Sequence, residues 1–208
     1  MPKQEAHISA LQHFLPPNTY EPVLAYLHQH HVHLTVAKER KSILGDYRHR
    51  THGKNHRISV NGNLNRFAFL ITLLHELAHL LTFEKFGNRI SPHGREWKNV
   101  FGQLLAQFID HDVFPGDIKE ALLDSLHDPA ASSCSDEDLL RVLKRYDKKE
   151  THLVFVESIP EGALFKTHDG KVFRKGDRIR KRFRCEEIKT KKLYLFSPIY
   201  EVEEIANS

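Results

Sequence analysis

The sequence predicts an α+β fold in which a mainly helical domain with a small β-sheet precedes a small antiparallel β module. One observation is the long apolar segment Leu64 to Phe86, which is typical of a helix buried in a domain core. The other is a change after Thr151, where short apolar runs alternate with turn signals. The chain has 208 residues, enough to bury a sizeable core and to form one domain with an appendage.

Turn and capping residues predict where the helices after the apolar segment begin. Gly87-Asn88 supplies turn residues that end the long helix. Ser91-Pro92 has the pattern of an N-cap followed by proline at the first helical position, so His93 is expected in the first turn of a helix that continues to Phe108. A further helix is predicted over Phe114–Leu126.

The composition changes near residue 130, where Pro129 to Ser135 has the small and polar residues of a linker or surface loop. Ser135 and Asp138 form a capping-box-like start to a helix that contains Leu139 and Tyr146. We therefore divide the chain into a core at residues 1–130, a linker with a connecting helix at 131–150, and a basic antiparallel β module at 151–208.

Five short apolar runs predict the four or five strands of the β module. Turn signals at Glu161-Gly162, Asp169-Gly170 and Gly176-Asp177 separate them. The runs are Leu153–Val156, Ala163–Phe165, Lys171–Phe173, Arg182–Cys185 and Lys192–Phe196.

The chemistry of the chain is concentrated in the stretch His75-Glu76-Leu77-Ala78-His79. On a helix, residues four apart have Cβ atoms about 5–6 Å apart on one face. Two imidazoles can reach one zinc ion from that spacing, and Glu76 between them is placed to act as general base. Thr72 extends the same polar stripe on an otherwise apolar helix, which favours a bound ion or a cleft. The alternative is a pair of core histidines that bond to carbonyl groups.

A catalytic zinc ion usually takes three protein ligands and leaves its fourth position to water. Two residues after the long helix could supply the third ligand. His93 is the favoured one, and Glu96, one turn further on, is the alternative, as in sites with two histidines and one glutamate. If His93 binds the metal, Glu96 is expected to orient one of the imidazoles.

His75-Glu76-x-x-His79 followed by His93-Gly94-x-x-Trp97 resembles the SprT-like family, which includes the Spartan-type DNA-dependent metalloproteases. The resemblance covers about the first 110 residues. It implies a zincin-like domain with an HExxH metal helix, in which His75, His79 and His93 bind one Zn²⁺ ion and Glu76 is the catalytic base. It also implies an N-terminal helix and a small sheet before the metal helix. In this chain they correspond to Tyr20–His31 and to strands near Val32–Lys38 and Arg57–Asn61.

Bacterial relatives in this family commonly carry a C-terminal zinc ribbon with paired cysteines. This chain has two cysteines, Cys134 and Cys185, far apart and in no C-x-x-C pair. A structural zinc ion in the β module is therefore not expected, and a degenerate ribbon-like fold must be held by its own core.

Positive charge is concentrated in the β module. Between Lys166 and Lys192 there are 12 Lys or Arg residues and four acidic ones, a net charge of +8, whereas the whole chain has +4. Such a surface favours contact with nucleic-acid phosphates, while the interleaved Phe173 and Phe183 are expected in the core. The candidate nucleic-acid contacts are Arg174, Lys175, Arg178, Arg180, Lys181, Arg182 and Arg184. The alternative is a solvated basic face.

A second basic stretch, Lys38 to Arg57, precedes the metal helix and is expected to be a loop beside the cleft, where it could bind DNA or acidic substrate segments. It contains His49, His52 and His56, whose spacing requires no function.

Together with this resemblance, the sequence predicts an intracellular, cytoplasmic zinc metalloprotease that acts on protein or peptide and that DNA could recruit through basic surfaces. The site residues alone would also permit metal-dependent hydrolysis of another substrate, which the resemblance disfavours. Met1–Ala10 is polar and lacks the apolar core of a secretory signal, and no membrane association is expected. The alternative is a nucleic-acid-binding or transcription-associated protein with a structural metal, although such a site has no need of Glu76.

Overall fold

The computed structural model describes residues 8–40, 43–51, 53–127, 136–147 and 152–205. The chain divides into two compact units, Met1–Asp147 and Lys148–Ser208. Within the described residues there are five α-helices and nine β-strands in two sheets. The α+β class that the sequence predicted is confirmed.

The first unit contains the five α-helices that the structure describes, and the side chain that caps the longest of them bonds to two segments of the chain. The side chain of Asn65 accepts a hydrogen bond from the backbone N–H of Ala68 and donates one to the carbonyl of Leu143. The helix ends before Gly87, whose φ of 66° lies in the left-handed region that glycine tolerates. The helices are α1 (Tyr20–Gln29), α2 (Arg66–Phe86), α3 (Arg95–Asp110), α4 (Gly116–His127) and α5 (Glu137–Lys144).

Helix α2 is the centre of the first unit because it is buried on almost every side. Leu73, Leu74 and Leu77 are fully buried, and so are residues on the faces between them. The stretch Arg66–Arg89 is long and apolar enough to cross a membrane by composition, yet 67% of its most apolar window is buried within the protein. That burial is the pattern of a core helix.

Three strands form the sheet of the first unit, with β3 in the centre. β1 is parallel to β3, and β2 is antiparallel to it on the other side. Sequence analysis expected the first and third strands but assigned the second to a basic loop, because its four residues have no apolar alternation. The strands are β1 (Val32–Ala37), β2 (Gly45–Arg48) and β3 (His56–Asn61).

The guanidinium of Arg40 attaches the chain before β2 to the central strand. It donates to the side chains of Asn61 and Ser59 at 2.8 and 2.9 Å and to the carbonyl of Leu44. Arg40 is therefore part of the framework of the sheet. The basic stretch from Lys38 to Arg57 is therefore not one charged loop, because it contains β2 and the start of β3. Its residues Lys41 and His52 lie outside the described residues.

Helix α5 packs into the core of the first unit through Leu139 and Leu143. We had predicted a linker and a connecting helix at residues 131–150. The helix instead belongs to the first unit, because its apolar face is buried there. Its cap is Asp136, which accepts hydrogen bonds from the backbone N–H groups of Asp138 and Leu139. The expected cap, Ser135, lies outside the described residues.

The second unit is one six-stranded antiparallel sheet with strand order β4-β9-β5-β6-β7-β8. Sequence analysis found the first five strands along the chain and missed the last, whose three glutamates hide its apolar alternation. One face buries a small core that includes Phe165, Phe173 and Val202, and Phe183 packs against it, so both expected core phenylalanines are confirmed. The strands are β4 (Leu153–Phe155), β5 (Leu164–Lys166), β6 (Val172–Ile179), β7 (Arg182–Glu187), β8 (Leu193–Phe196) and β9 (Glu201–Ile205).

The turn predicted at Gly176-Asp177 is wrong, because β6 continues through these residues with a β-bulge. The pairing of β6 with β7 shifts between Lys175 and Arg178. A Cβ atom at Gly176 would lie against the carbonyl oxygen of Arg184, so the bulge requires glycine. The chain turns instead at Arg180-Lys181.

Lys175 is a member of the core, which corrects its assignment as a nucleic-acid contact. Its side chain is 5% exposed, its ammonium donates to the carbonyls of Glu157 and Ile159, and it lies 4.2 Å from the ring centre of Phe183. Burial lowers the pKa of Lys175 from its ordinary value. The ammonium ties β6 to the short 3-10 helix Val156–Ser158 and to the residue after it.

We expect Lys175→Met to destabilise the second unit while it keeps the volume of the side-chain stem. Two buried carbonyls would lose their donor, at a cost of about 1–3 kcal/mol. Hydrogen exchange of the β6 and β7 amides in the full chain measures this loss. Lys189→Met, at an exposed position of the same unit, is the control and should change stability by less than about 0.5 kcal/mol. Equal protection in both variants would contradict the structural role of Lys175.

Candidate metal centre and catalytic base

Three imidazole rings converge in the first unit. The Nε2 atoms of His75, His79 and His93 lie 3.0 to 3.2 Å from one another. A neutral imidazole carries one N–H group, so three ring nitrogens that face one point cannot all satisfy one another. Three nitrogens at about 2.0–2.1 Å from a tetrahedral zinc ion would be roughly 3.3 Å apart, close to the separation seen here. The residues therefore fit a metal ion.

Two of the three imidazoles are presented by α2, one helical turn apart, and the third by the loop before α3. His93 has φ of 59°, and the N–H of Gly94 bonds to the carbonyl of Ser91 in a tight turn. The N-cap of α3 is Gly94, so the expectation that Ser91 caps this helix with His93 in its first turn is wrong. His93 therefore reaches the other two imidazoles from a left-handed turn and not from a position within the helix.

Trp97 lies against all three imidazoles. Its ring centre is 4.6 Å from that of His75, 5.2 Å from that of His79 and 4.8 Å from that of His93. The indole is buried, and its Nε1 has no hydrogen-bond partner among the described residues. Sequence analysis noted Trp97 only as part of a motif. Its position indicates that it limits the orientations of the imidazoles by packing.

The histidines are held in the neutral form that metal binding requires. Burial, together with the neighbouring imidazoles of His79 and His93, lowers the pKa of His75 to about 3. Burial and His93 lower the pKa of His79 to about 4, and burial also lowers that of His93. Neutral imidazoles offer free lone pairs to a cation without first losing a proton.

Glu76 is 7% exposed and lies directly beside β2. A Cβ atom at Gly45 would be 2.5 Å from its Oε1 and 2.8 Å from the methyl group of Thr72, so the strand can approach only because residue 45 is glycine. The pKa of Glu76 is raised to about 8, mainly by burial and also by the carboxylate of Asp46, while Arg40 opposes the rise. A carboxyl group with such a pKa can both accept and return a proton near neutral pH.

Tyr47 and His56 form a hydrogen-bonded pair, and the ring of Tyr47 lies next to that of His79. The rings of Tyr47 and His79 are parallel within 3°, with centres 6.5 Å apart. The Tyr47 hydroxyl is 2.9 Å from Nδ1 of His56, which also accepts from the N–H of Arg50. Because Nδ1 accepts, Nε2 of His56 carries the proton, and it points toward Glu84 at 3.6 Å. Sequence analysis placed His56 in a loop and assigned it no role.

Glu96 lies in the first turn of α3, outside the cluster of imidazoles. Among the residues that the structure describes, the donors whose ligand atoms lie within 4.8 Å of one another are His75, His79 and His93. The geometry favours the histidine as third ligand, and whether Glu96 orients an imidazole stays a prediction.

The basic residues of the second unit divide into those held by partners and those open to solvent. Arg184 bonds to Asp177 at 3.0 and 2.8 Å, and Lys175 is buried as described. The remaining candidates are exposed on β6, β7 and the turn between them: Arg174, Arg178, Arg180, Lys181 and Arg182. Cys185 is buried on β7, and burial raises the pKa of its thiol, while Cys134 lies outside the described residues.

Comparison with known proteins agrees with the resemblance found in the motifs. A model of the SprT-like family matches residues 17–116, the region that holds α1, the first sheet, α2 and α3. This region of the chain is similar to the SprT-like family.

Curated relatives match only a short segment. Protein SprT from Yersinia pseudotuberculosis serotype O:1b (strain IP 31758) and Protein SprT from Yersinia pestis are each 55% identical to this chain over 31 residues, 15% of this chain and 18% of each relative. Protein SprT from Glaesserella parasuis serovar 5 (strain SH0165) is 52% identical over 31 residues, 15% of this chain and 19% of the relative. The chain thus covers less than a fifth of these relatives' length. No solved structure matches it.

We expect one zinc ion per chain, with His93 and not Glu96 as the third ligand. His93→Ala should lose most of the bound metal, because two imidazoles alone hold zinc weakly, and Glu96→Ala should keep it. Metal analysis after gel filtration measures both. If His93→Ala keeps its zinc and Glu96→Ala loses it, the site has two histidines and one glutamate as ligands.

We expect Gly45→Ala to displace Glu76 and to lower the activity of the site about 10-fold or more while zinc remains bound. Gly116→Ala is the matched control, because a Cβ atom there meets nothing within 4 Å. Activity and zinc content of both variants decide the matter. Full activity in Gly45→Ala would show that contact with β2 does not position the base.

Proposed function

We propose that the protein is a zinc-dependent endopeptidase that acts on DNA-associated proteins. The observation that carries the proposal is the convergence of three imidazole Nε2 atoms beside a buried glutamate on the same helix. A structural metal has no need of that glutamate, and a fourth protein ligand would normally complete such a site. The SprT-like family, generally of metallopeptidase type, supports the same reaction class.

In this mechanism the histidines hold the ion and Glu76 moves the proton. A bound zinc ion lowers the pKa of a water molecule and polarises a carbonyl group. Glu76 accepts the proton of the attacking water and returns it to the leaving amine, a transfer suited to its raised pKa. Glu76 is buried on α2 with Gly45 of β2 against it, and this exclusion of solvent strengthens the electrostatic interactions of its carboxyl group.

The edge of the first sheet offers a place for the substrate backbone. Among the strands that the structure describes, β2 pairs with β3 alone, so its other edge carries no neighbouring strand. An extended peptide that adds to this edge would lie beside Glu76, because Gly45 in β2 contacts that residue. Recognition through the backbone gives cleavage with little preference for side chains, and activity must then be restrained by recruitment.

DNA is the recruiting partner that the charge of the chain favours. The second unit exposes arginines and a lysine around the turn between β6 and β7, and they suit phosphates in a salt-dependent manner. In the first unit, Arg40 bonds within the sheet and Arg48 pairs with Asp46 at 2.8 Å. Fewer charges are therefore available there, which makes the second unit the better candidate.

We expect Glu76→Gln to abolish cleavage of a DNA-binding protein while zinc content and fold are nearly unchanged. The amide cannot accept the proton of water, and loss of a general base typically lowers rates about 10²-fold or more. Proteolysis by the wild type and by the variant, each with and without single-stranded DNA, measures this.

Two outcomes would contradict the peptidase activity, and a third would contradict the role of DNA. Undiminished cleavage by Glu76→Gln would refute the role of the base. A wild type that binds zinc but cleaves no protein under any condition would favour the nucleic-acid-binding protein with a structural metal. Cleavage that DNA leaves unchanged would remove the recruiting role and keep the peptidase.

A further inference from the structure

The hairpin of β6 and β7 extends past its neighbour on one side. β5 pairs with β6 only as far as Arg174, so the last four residues of β6, Gly176–Ile179, have β7 on one side and none of the described strands on the other. We call residues 178–182 the hairpin tip. Four of its five residues are basic, all five are exposed, and the fifth is the apolar Ile179.

The pairing of the two strands distributes the charges of the hairpin tip over both faces. Arg178 is opposite Phe183 and lies over its ring at 5.9 Å, on the face that packs against the core. Ile179 is opposite Arg182, and because successive residues of a strand alternate, this pair lies on the other face. The bulge before Arg178 produces this distribution, since it shifts the register by which β6 meets β7.

The hairpin tip also has an arginine where the backbone favours glycine. Arg180 has φ of 54°, in the left-handed region where residues other than glycine and asparagine are uncommon. A two-residue turn between antiparallel strands is usually built from glycine, asparagine or aspartate. An arginine in a left-handed backbone conformation that disfavours it suggests that the charged side chain has a role at this position.

Ile179 is 38% exposed at the end of the strand. Its neighbours across and along the hairpin are arginines, so it is an apolar contact point surrounded by positive charge. Isolated exposed aliphatics are common on surfaces. An exposed isoleucine between arginines at the end of a two-stranded ribbon suits a partner whose apolar groups lie between two rows of negative charge.

We propose that the hairpin tip enters the major groove of duplex DNA, with its arginines against the phosphates of both walls and Ile179 toward the base edges. The groove is about 12 Å wide and admits a two-stranded β-ribbon, and thymine methyl groups there accept apolar contacts. The inference rests on the proposed DNA association and adds the form of DNA and the segment that binds it.

The distribution of charge distinguishes this partner from a flat anionic surface such as a membrane. A flat surface contacts one face or the end of the hairpin and leaves Arg178 or Arg182 unpaired. A groove has phosphates on two sides and contacts both arginines, which lie on opposite faces. The duplex therefore accounts for more of the observed arrangement.

Arg180→Gly in the full-length protein tests the proposal, because it removes one positive charge and places glycine at a left-handed backbone position that glycine tolerates. We expect affinity for a duplex to fall about fivefold or more and the slope of log affinity against log salt to decrease by about one. The melting temperature should not fall. Lys189→Ala removes one exposed charge from the turn between β7 and β8, at the opposite end of β7, and should leave duplex affinity within about twofold.

Ile179→Ser tests the apolar contact without a change of charge. We expect duplex affinity to fall about threefold or more, with an unchanged salt slope. Leu195→Ser, on the neighbouring strand and 55% exposed, is the matched control and should bind as the wild type does. A ligand that fills the major groove should compete with the protein, and one that fills the minor groove should not.

The outcomes separate this inference from the proposed function. If the wild type binds duplex DNA and both hairpin variants bind equally well, the hairpin proposal is overturned while DNA association stands through another surface. Binding of vesicles that contain phosphatidylserine, lost in Ile179→Ser, together with no duplex binding, would assign the hairpin tip to a membrane. Absence of all DNA binding overturns both the hairpin proposal and DNA recruitment, and the peptidase is still judged by Glu76→Gln.

Discussion

Burial of α2 on nearly every side is the constraint on which the first unit depends. An apolar helix with a polar stripe of Thr72, His75, Glu76 and His79 cannot lie in a core unless other groups meet that stripe. The loop before α3 supplies His93, and β2 closes over Glu76 through Gly45. The loop before α3 and strand β2 thus supply the polar and close contacts that the stripe needs. The same contacts form the candidate metal centre.

The closeness of β2 connects structure to chemistry in two ways. It removes Glu76 from water, which raises the pKa of the carboxyl group, and it brings beside Glu76 a sheet edge on which no other described strand pairs. Arg40 holds the chain before this strand to β3 through hydrogen bonds to Asn61 and Ser59. An arginine in a basic stretch thus serves the framework of the centre, and its charge also opposes the rise in the pKa of Glu76.

The second unit is stabilised by a different device. A buried ammonium, Lys175, bonds to two carbonyls and packs on Phe183, and the strands close on a small aromatic core without paired cysteines. The bulge at Gly176 follows directly and shifts the later residues of β6 relative to β7. Lysines and arginines in one stretch therefore have separate tasks: one residue holds the fold, and those beyond the bulge stay exposed.

The residues alone determined what depends on local spacing. The extent of α2, the helical pair His75 and His79 with Glu76 between them, and five of the six strands of the second unit were predicted, because periodicity and turn chemistry act within a few residues. Tertiary structure decided what depends on contacts between distant segments. Pairing with β3 makes Gly45–Arg48 a strand, a left-handed turn aims His93, and packing against carbonyls far along the chain buries Lys175. No local pattern records such contacts, since a glycine or a lysine has the same neighbours in sequence whether it lies in a loop or against a carboxylate.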